Sequence, residues 1–271
     1  MVFGTLFLTA HDAVSKWLTQ TYHLGEVMAY RSIPSLVILC IALALSEGRR
    51  GFISNVPRLN ASRALLGTLT SFLVVGAYSI LPLADALAVI FASPLFVTAF
   101  AALLLGETVG RARWVAVLVG FVGMLLMIRP SAGVLVFGSG LAIAAACAAA
   151  LRDIVTRRIG ERDSATNVLF FTTLVSLLAG AVTLPFSAVL PPLADWGLFC
   201  VAGCLATAAH WLVIRAFQFA EASLVAPLRF LAIVYAAVFG YFFFGELPGV
   251  MQVFGATVII CAAMYVVRAQ R

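Results

Sequence analysis

Charged side chains are scarce in this sequence of 271 residues. Lys and Arg together number 17 and Asp and Glu number 11, which is 10% of the chain, while 63% of the residues are hydrophobic. A soluble domain carries about 25% charged residues. A water-facing surface of ordinary composition cannot be built from so few charges, and we expect the folded protein to lie in a lipid bilayer.

Lysine is nearly absent, because Lys16 is the only one in the chain. No glycine-rich loop precedes it, so the phosphate-binding lysine loop of ATP-driven pumps is missing. The arginine-bearing loops contain few acids and no histidine, which disfavours an enzyme embedded in the membrane. We expect a protein without enzymatic activity and without a cofactor.

The cysteines do not indicate a disulfide framework or a metal site. All five lie inside apolar segments, where cysteine is usually a small buried hydrophobic residue. Cys200 and Cys204 share a helix face, but no histidine or acid nearby in the sequence completes a metal-binding set. We therefore expect no bound metal.

Long apolar segments dominate the chain instead. A helix of roughly 20 apolar residues spans the hydrocarbon core and satisfies its own backbone hydrogen bonds. Continuous apolar segments also differ from the alternating pattern of a membrane barrel. We predict an all-α polytopic membrane protein with ten transmembrane helices. They cover about 1–18, 25–46, 62–81, 83–105, 112–128, 134–156, 166–187, 195–218, 221–244 and 248–267.

The sequence contains an internal duplication. At a shift of 139 residues, Gly106-Glu107 falls on Gly245-Glu246 and Arg129 falls on Arg268. At a shift of 141, the segment from His11 to Lys16 lies over the segment from Arg152 to Arg157. Internal duplication in an apolar chain is typical of secondary transporters. We predict two five-helix repeats, residues 1–130 and 131–271, that form one membrane domain around a central cavity.

The arginines orient the two repeats. They lie at the ends of apolar segments and form no basic groove, so the net charge of +6 does not indicate a nucleic-acid partner. Cytoplasmic loops carry the excess of Lys and Arg. This rule places both termini in the cytoplasm, and five helices per repeat invert the second repeat. We expect the membrane to be the inner membrane of a bacterium. The arginines expected inside are Arg49, Arg50, Arg58, Arg63, Arg111, Arg113, Arg157, Arg158, Arg162, Arg268 and Arg271.

Four of the basic side chains in the predicted spans stand out, because a charge there needs a partner or a water-filled cavity. Arg215 and Arg229 are candidates for binding a substrate carboxylate, although Arg215 lies near a span end and could instead extend to the interface. His210 is a candidate for substrate binding or proton transfer; the simpler alternative is a hydrogen-bonded interior group. Arg31 is expected to pair with Glu26 rather than to bind a ligand.

Two acid–base pairs are candidates for gates. Asp12 with Lys16, and Asp153 with Arg157, are spaced four apart in the orientation that helices favour. In inverted repeats, the first pair lies near the outer face and the second near the inner face, so each could help to close its own side. The simpler alternative is intrahelical neutralisation of charge near lipid.

Aromatic, small polar and proline residues complete the candidate site. Apolar pockets with a few convergent polar groups suit small metabolites, and prolines bend helices by removing a backbone hydrogen bond. We expect the cavity lining to include Tyr78, Ser79, Phe91 and Trp211. The candidate bending points are Pro94 and Pro227.

A Gly-Glu pair ends spans four and nine, in Leu105-Gly106-Glu107 and Phe244-Gly245-Glu246, with Pro94 thirteen residues before the first glutamate. The stretch 222–230 has the sequence ASLVAPLRF. With ten spans in two inverted halves, these motifs resemble the EamA family of the drug/metabolite transporter superfamily across nearly the whole chain. The second half departs from the pattern by having Ile233 where the first has Pro94.

The resemblance implies a cavity lined by both halves that opens alternately to each side. Members of the family export amino acids and other metabolites, and others take up S-adenosylmethionine or riboflavin. The mixture of aromatic and polar residues favours the YddG-type exporters, with amino acids, including aromatic ones, as substrates. The alternatives are uptake of S-adenosylmethionine or riboflavin, or proton-coupled export.

Two further expectations concern mechanism and assembly. The few carboxylates expected deep in the membrane favour a uniporter. Ten spans can enclose a cavity within a monomer. A channel is disfavoured because neither a selectivity ring nor a re-entrant loop is visible in the sequence.

Overall fold

The protein is helical throughout the part of the chain that can be described. The computed structural model describes residues 1–82, 86, 89–90, 93–105, 110, 114–115, 118–119, 122–123, 133–187, 190–219, 231–245 and 249–268. Within these ranges we number nine α-helices in chain order, and a short 3-10 helix, Gly48–Phe52, joins the second to the third. The helices are α1 Val2–Leu18, α2 Leu24–Ser46, α3 Pro57–Ile80, α4 Ser93–Leu105, α5 Gly133–Ile159, α6 Ala165–Ser187, α7 Leu193–Phe219, α8 Leu231–Phe244 and α9 Val250–Arg268.

Five of these helices, α2, α3, α5, α6 and α7, are long and apolar enough to cross a bilayer. A helix of 23 residues, such as α2, is about 35 Å long, which matches the hydrocarbon core. The predicted fifth span, residues 112–128, lies mostly outside the described residues. The all-helical membrane architecture is confirmed, whereas the number of ten spans stays a prediction.

The ends of the helices repeat at the shift found in the sequence. Helices α1 and α5 end at Leu18 and Ile159, and α2 and α6 begin at Leu24 and Ala165. Since 159 − 18 and 165 − 24 both equal 141, the same shift that aligns the sequence motifs also aligns the turns between helices.

The packing of the helices follows the same repeat. Helix α3 packs on α5 and α6, as α7 packs on α1 and α2. Helix α4 packs on α5, as α8 packs on α1, and α2 packs on α6. All of these contacts join a helix before residue 130 to one after it, so the largest interface of the described helices runs between the two segments.

Two glycines allow α2 and α6 to approach closely. A Cβ atom on Gly180 would lie 2.7 Å from the amide nitrogen of Ala29 and 2.8 Å from the carbonyl oxygen of Gly25, both in α2. A Cβ atom on Gly25 would collide with the side chain of Thr183 in α6. Small residues at helix crossings let membrane helices pack backbone to backbone, and this contact fixes the spacing of the central helix pair.

Apolar clusters close both ends of this interface. At the end where Arg49, Arg50, Arg58, Arg157, Arg158 and Arg162 lie, called here the arginine-rich end, the cluster consists of Leu39, Ile159, Ala165, Val168, Leu169 and Ile214. At the opposite end it consists of Leu18, Tyr22, Val27, Tyr30, Phe199 and Ala202. Buried polar side chains lie between the two clusters.

Candidate functional site

Two adjoining polar cavities lie between the apolar clusters, with volumes of about 60 and about 50 Å³. Both are lined by Arg31, Ser71, Arg152 and His210, so they share one wall. This space holds a few water molecules. A metabolite needs several hundred Å³, so binding one requires the helices to separate.

The first polar layer is built on Arg31 of α2. Its guanidinium donates to Nε2 of His11, to Ser15 Oγ at 3.4 Å and to Met28 Sδ at 2.9 Å. Nδ1 of His11 lies 3.1 Å from the carbonyl oxygen of Ala202 in α7. Because Nε2 faces a donor and Nδ1 faces a carbonyl, the hydrogen bonds assign a neutral imidazole with its proton on Nδ1.

The second polar layer is built on Arg152 of α5. Its Nε and Nη2 atoms donate to Oδ1 of Asp153 at 3.1 and 3.0 Å. Arg63 of α3 joins this layer, with Nε donating to Thr156 Oγ1 at 3.0 Å and Nη1 donating to Thr172 of α6. The layer therefore ties together three helices through two arginines, an aspartate and two threonines.

The two layers occupy equivalent places in the repeat. His11 and Asp12 align with Arg152 and Asp153 at the shift of 141, and Ser15 aligns with Thr156. His11 lies about two turns from the end of α1, and Arg152 lies about two turns from the end of α5. The site is therefore assembled from corresponding positions of the two segments.

Asp12 is the carboxylate that lines the first cavity, and the charge of Arg31, in the same lining, acts on it. Asp12 is 6% exposed and Asp153 is 2% exposed. The sequence argument for a uniporter assumed that carboxylates deep in the membrane are few. Helix packing buries both of these carboxylates, and uniport stays a prediction. Charged groups buried in a membrane usually mark a substrate or ion path.

Three other gate candidates lie near this site. Lys16 donates from Nζ to the carbonyl oxygen of Leu81 at 3.3 Å, and its ammonium lies 4.9 Å from the centre of the Phe244 ring. Asp153 lies in the second layer, and Arg157 follows one turn later at the arginine-rich end. The gating role of Asp12, Lys16, Asp153 and Arg157 stays a prediction.

His210 lines both cavities, as expected for a binding residue. Tyr78 lies instead in the buried core with Ala13 and Met28. Ser79 is exposed and donates to the carbonyl oxygen of Gly76 at 3.0 Å. Tyr78 and Ser79 follow Val74 and Val75, residues of α3 that line the first cavity, and their role in substrate binding stays a prediction.

Trp211 and Arg215 lie together on the exposed face of α7. The guanidinium carbon of Arg215 is 5.5 Å from the centre of the Trp211 ring and 4.4 Å from that of Phe219. Trp211 Nε1 donates to Thr166 Oγ1 at 3.2 Å. This cation–π stack stabilises the exposed arginine, and substrate binding by Arg215 and Trp211 stays a prediction.

Four candidates cannot be located at the site. Phe91, Arg229 and Pro227 lie outside the described residues, and Pro94 lies in the first turn of α4, where only the backbone is described. Glu26 caps the start of α2 by accepting from the amide of His23 at 2.8 Å, and the expected pairing of Arg31 with Glu26 stays a prediction.

Three residues of the site were not among the sequence candidates: His11, Arg63 and Arg152. Arg63 was expected on the cytoplasmic side, at the start of the third span, and it is 3% exposed in α3. A signal for it exists in the sequence. Small and polar residues recur at 60, 63, 67, 70 and 71, spacings of three and four that place them on one helix face.

Comparison with known proteins agrees with this architecture. The profile of the EamA-like transporter family matches residues 1–129 and again residues 136–268. An S-adenosylmethionine uptake transporter of Rickettsia bellii is 27% identical over 266 residues, which cover 97% of this chain and 90% of that protein. The pseudopaline exporter CntI of Pseudomonas aeruginosa is 28% identical, covering 100% and 95%.

Two further similarities extend over the whole chain. A riboflavin transporter of Rhizobium johnstonii is 24% identical, covering 99% of this chain and 89% of that protein. A solved crystal structure of a protein superposes with a TM-score of 0.72 at 19% identity, over 99% of this chain and 96% of the other, and supports the fold. The family profile accounts for almost every residue in two consecutive matches. This chain belongs to the EamA-like transporter family.

Proposed function

We propose that this protein is a secondary transporter that exports a small metabolite with an α-amino acid group, amino acids foremost, across the bacterial inner membrane. Two inverted five-helix halves, residues 1–130 and 131–271, enclose the substrate and expose it alternately to each side. The arginine-rich end faces the cytoplasm together with both termini. One chain is sufficient to form the cavity.

Arg31 carries the substrate assignment. It is 7% exposed, and among the described residues its hydrogen bonds go only to neutral groups: an imidazole, a hydroxyl and a thioether. Burying a charged guanidinium costs free energy unless an anion balances its charge. A carboxylate is the anion that matches its two-pronged donor geometry.

Asp12 supplies the complementary charge. It lines the same cavity as Arg31, so a substrate with both a carboxylate and an ammonium group finds a partner for each. In the absence of substrate, the opposite charges of Asp12 and Arg31 interact across this cavity. A zwitterion replaces this interaction without adding net charge to the membrane interior, which favours amino acids over simple anions or amines.

Counterflow into proteoliposomes tests the assignment. Vesicles preloaded with an unlabelled amino acid are diluted into labelled amino acid, and unlabelled competitors are added outside. We expect label to accumulate and a second amino acid to suppress this accumulation. The corresponding amine, which lacks the carboxylate, and the corresponding acid, which lacks the ammonium, should each compete at least about tenfold less well. Equal competition by all three, or flux of riboflavin but of no amino acid, contradicts the proposal.

S-adenosylmethionine belongs in the same assay because it contains an α-amino acid group. Efficient competition by it would extend the substrate class to larger amino-acid derivatives, in line with the uptake transporter of Rickettsia bellii. Riboflavin contains no such group and serves as the negative control.

A second candidate mechanism is proton-coupled export, favoured by the burial of Asp12 in the cavity. If Asp12 exchanges a proton for substrate, an imposed pH gradient concentrates the substrate in wild-type vesicles. The Asp12→Asn variant would then retain counterflow but lose concentration. A wild-type protein that equilibrates substrate without concentrating it, whatever the gradient, is a uniporter.

A further inference from the structure

The arginine-rich end is closed by a polar clasp between the two halves. Asp163, in the turn between α5 and α6, accepts from the hydroxyl of Ser54, from the amide of Asn55 at 2.7 Å and from Nδ2 of Asn60 at 3.2 Å. Gln218 of α7 donates to the carbonyl oxygens of Gly160 and Asp163 at 2.8 and 3.0 Å. The linker before α3 is thereby held to the turn before α6.

Asn167 extends the clasp. It accepts from Asn60 at 2.9 Å through Oδ1, and its Nδ2 donates to the carbonyl oxygens of Gly51 and Ile53 at 2.5 and 3.3 Å. Removing any single hydroxyl from this end leaves several hydrogen bonds in place.

Among the described residues, the opposite end is closed by fewer hydrogen bonds. Tyr22, in the turn between α1 and α2, donates its hydroxyl to Asp195 in the first turn of α7. The Tyr22 ring packs edge-on against Phe199 at 5.2 Å, and Tyr30 packs on Trp196 and Phe199. Burial, with the hydrogen bond to Asp195 and its negative charge, raises the pKa of Tyr22 to about 12, so the hydroxyl keeps its proton at neutral pH.

These two closures correspond to each other in the repeat. Tyr22 aligns with Asp163 at the shift of 141, and Ser54 aligns with Asp195 at the same shift. In both, a hydroxyl of the first half donates to an aspartate of the second half, and a turn between two helices meets the beginning of α3 or α7. Duplication and inversion have thus placed one hydroxyl–carboxylate contact at each end of the polar cavities.

We propose that Tyr22–Asp195 and Ser54–Asp163 are a matched pair of latches, one at each mouth of the transport path, and that the single-bonded tyrosine latch releases more readily than the clasp around Asp163. The proposal rests on the alternating-access function above. It assigns the Tyr22–Asp195 latch to the outer side. The Ser54–Asp163 latch, with the clasp around Asp163, is assigned to the cytoplasmic side. Releasing one latch should open one mouth and leave the other closed.

Side-specific labelling of a cavity residue tests this. Ser71, which lines both cavities, is changed to cysteine in a variant whose five native cysteines are replaced by alanine. A membrane-impermeant methanethiosulfonate is then added to vesicles of either orientation. We expect Tyr22→Phe to speed labelling roughly tenfold from the end that carries Tyr22 and to leave the rate from the arginine-rich end unchanged, because a hydrogen bond to a charged group contributes a factor of that order.

The clasp provides the contrasting result. Ser54→Ala, which also removes one hydroxyl, should change labelling by less than about threefold, since Asn55 and Asn60 still donate to Asp163. Asp163→Ala removes the shared acceptor and should speed labelling roughly tenfold from the arginine-rich end alone. Tyr241→Phe, which removes a hydroxyl from the exposed face of α8, is the matched control and should have no effect.

Labelling requires neither substrate nor flux, so its result is separate from that of the transport assay. Unchanged rates in Tyr22→Phe, or acceleration from both ends, would overturn the latch proposal while leaving the transport function intact. If labelling is one-sided as expected but no transport is found, the substrate assignment is overturned and the latch proposal is unaffected.

Discussion

The polar layers around Arg31 and Arg152 occupy equivalent positions of a duplicated unit, yet their charges are arranged differently. Arg152 is bonded through two atoms to its neighbour Asp153, whereas Arg63 in the same layer donates to two threonines. At the corresponding position of the first half, a neutral His11 stands beside Asp12, and the guanidinium comes from another helix. The aspartate there has no arginine next to it in the chain.

This difference separates a structural charge pair from a binding pair. A buried pair whose members bond each other stabilises the fold because separating them leaves a bare charge. Arg31 and Asp12 face the same cavity from two helices, so a substrate can enter between them. Duplication supplied two copies of the scaffold, and we infer that the first copy diverged toward binding while the second secures the helix interface.

The largest effect on transport is expected from Arg31. Arg31→Gln preserves a donor but removes the charge that meets the substrate carboxylate, and truncating a buried, hydrogen-bonded charge typically costs about 2–5 kcal/mol. Counterflow should therefore fall by at least about thirtyfold. Arg215→Gln, an arginine change on the exposed face of α7, is the matched control. Equal loss in both variants would mean that Arg31 has no special role.

The largest effect on stability is expected from the other layer. Asp153→Asn leaves Arg152 buried without its carboxylate, at a cost of about 3–5 kcal/mol. The midpoint of thermal unfolding in detergent should fall by roughly 6 °C or more. Asp12→Asn should lower it less, since Arg31 keeps its bonds to His11 and Ser15. A larger fall for Asp12→Asn would reverse the comparison between the layers.

A selective effect is expected from Asp12→Asn on substrate recognition. Loss of the carboxylate weakens binding of the substrate ammonium, so the apparent affinity for an amino acid should drop by about tenfold. The acid that lacks the amino group should bind as well as it does to the wild-type protein. Competition assays with this pair of ligands measure the difference, and a parallel loss for both would place Asp12 outside the recognition of ammonium.

The smallest effect is expected at the exposed stack on α7. Trp211→Ala removes ring contacts with Arg215 but touches neither cavity, so transport should stay within about twofold of wild type. Surface substitutions away from a site usually change stability by less than about 0.5 kcal/mol. A strong transport defect with unchanged thermal stability would indicate that Trp211 lies in the substrate path.

The fold was largely predictable from the sequence, and the site only in part. The apolar segments predicted the helices, and the motifs around Asp12 and Asp153 predicted the repeat that the helix ends follow. His210 and Asp12 were identified because polar groups are unusual in apolar segments. For Tyr78 and Trp211, the sequence does not tell which helix face turns inward, because two neighbouring faces of a membrane helix can be equally apolar, and their role in binding stays a prediction.

Composition and periodicity alone determined that this chain is a helical membrane protein made of two related units, since lipid forces the backbone to satisfy itself within each segment. Only the tertiary structure decided which charges meet. Arg31 reaches His11 from another helix, and Arg63 reaches Thr156 across a sequence distance of 93 residues. Such pairings depend on where the helices cross. Small residues such as Gly180 set these crossing points in three dimensions, and sequence spacing does not encode them.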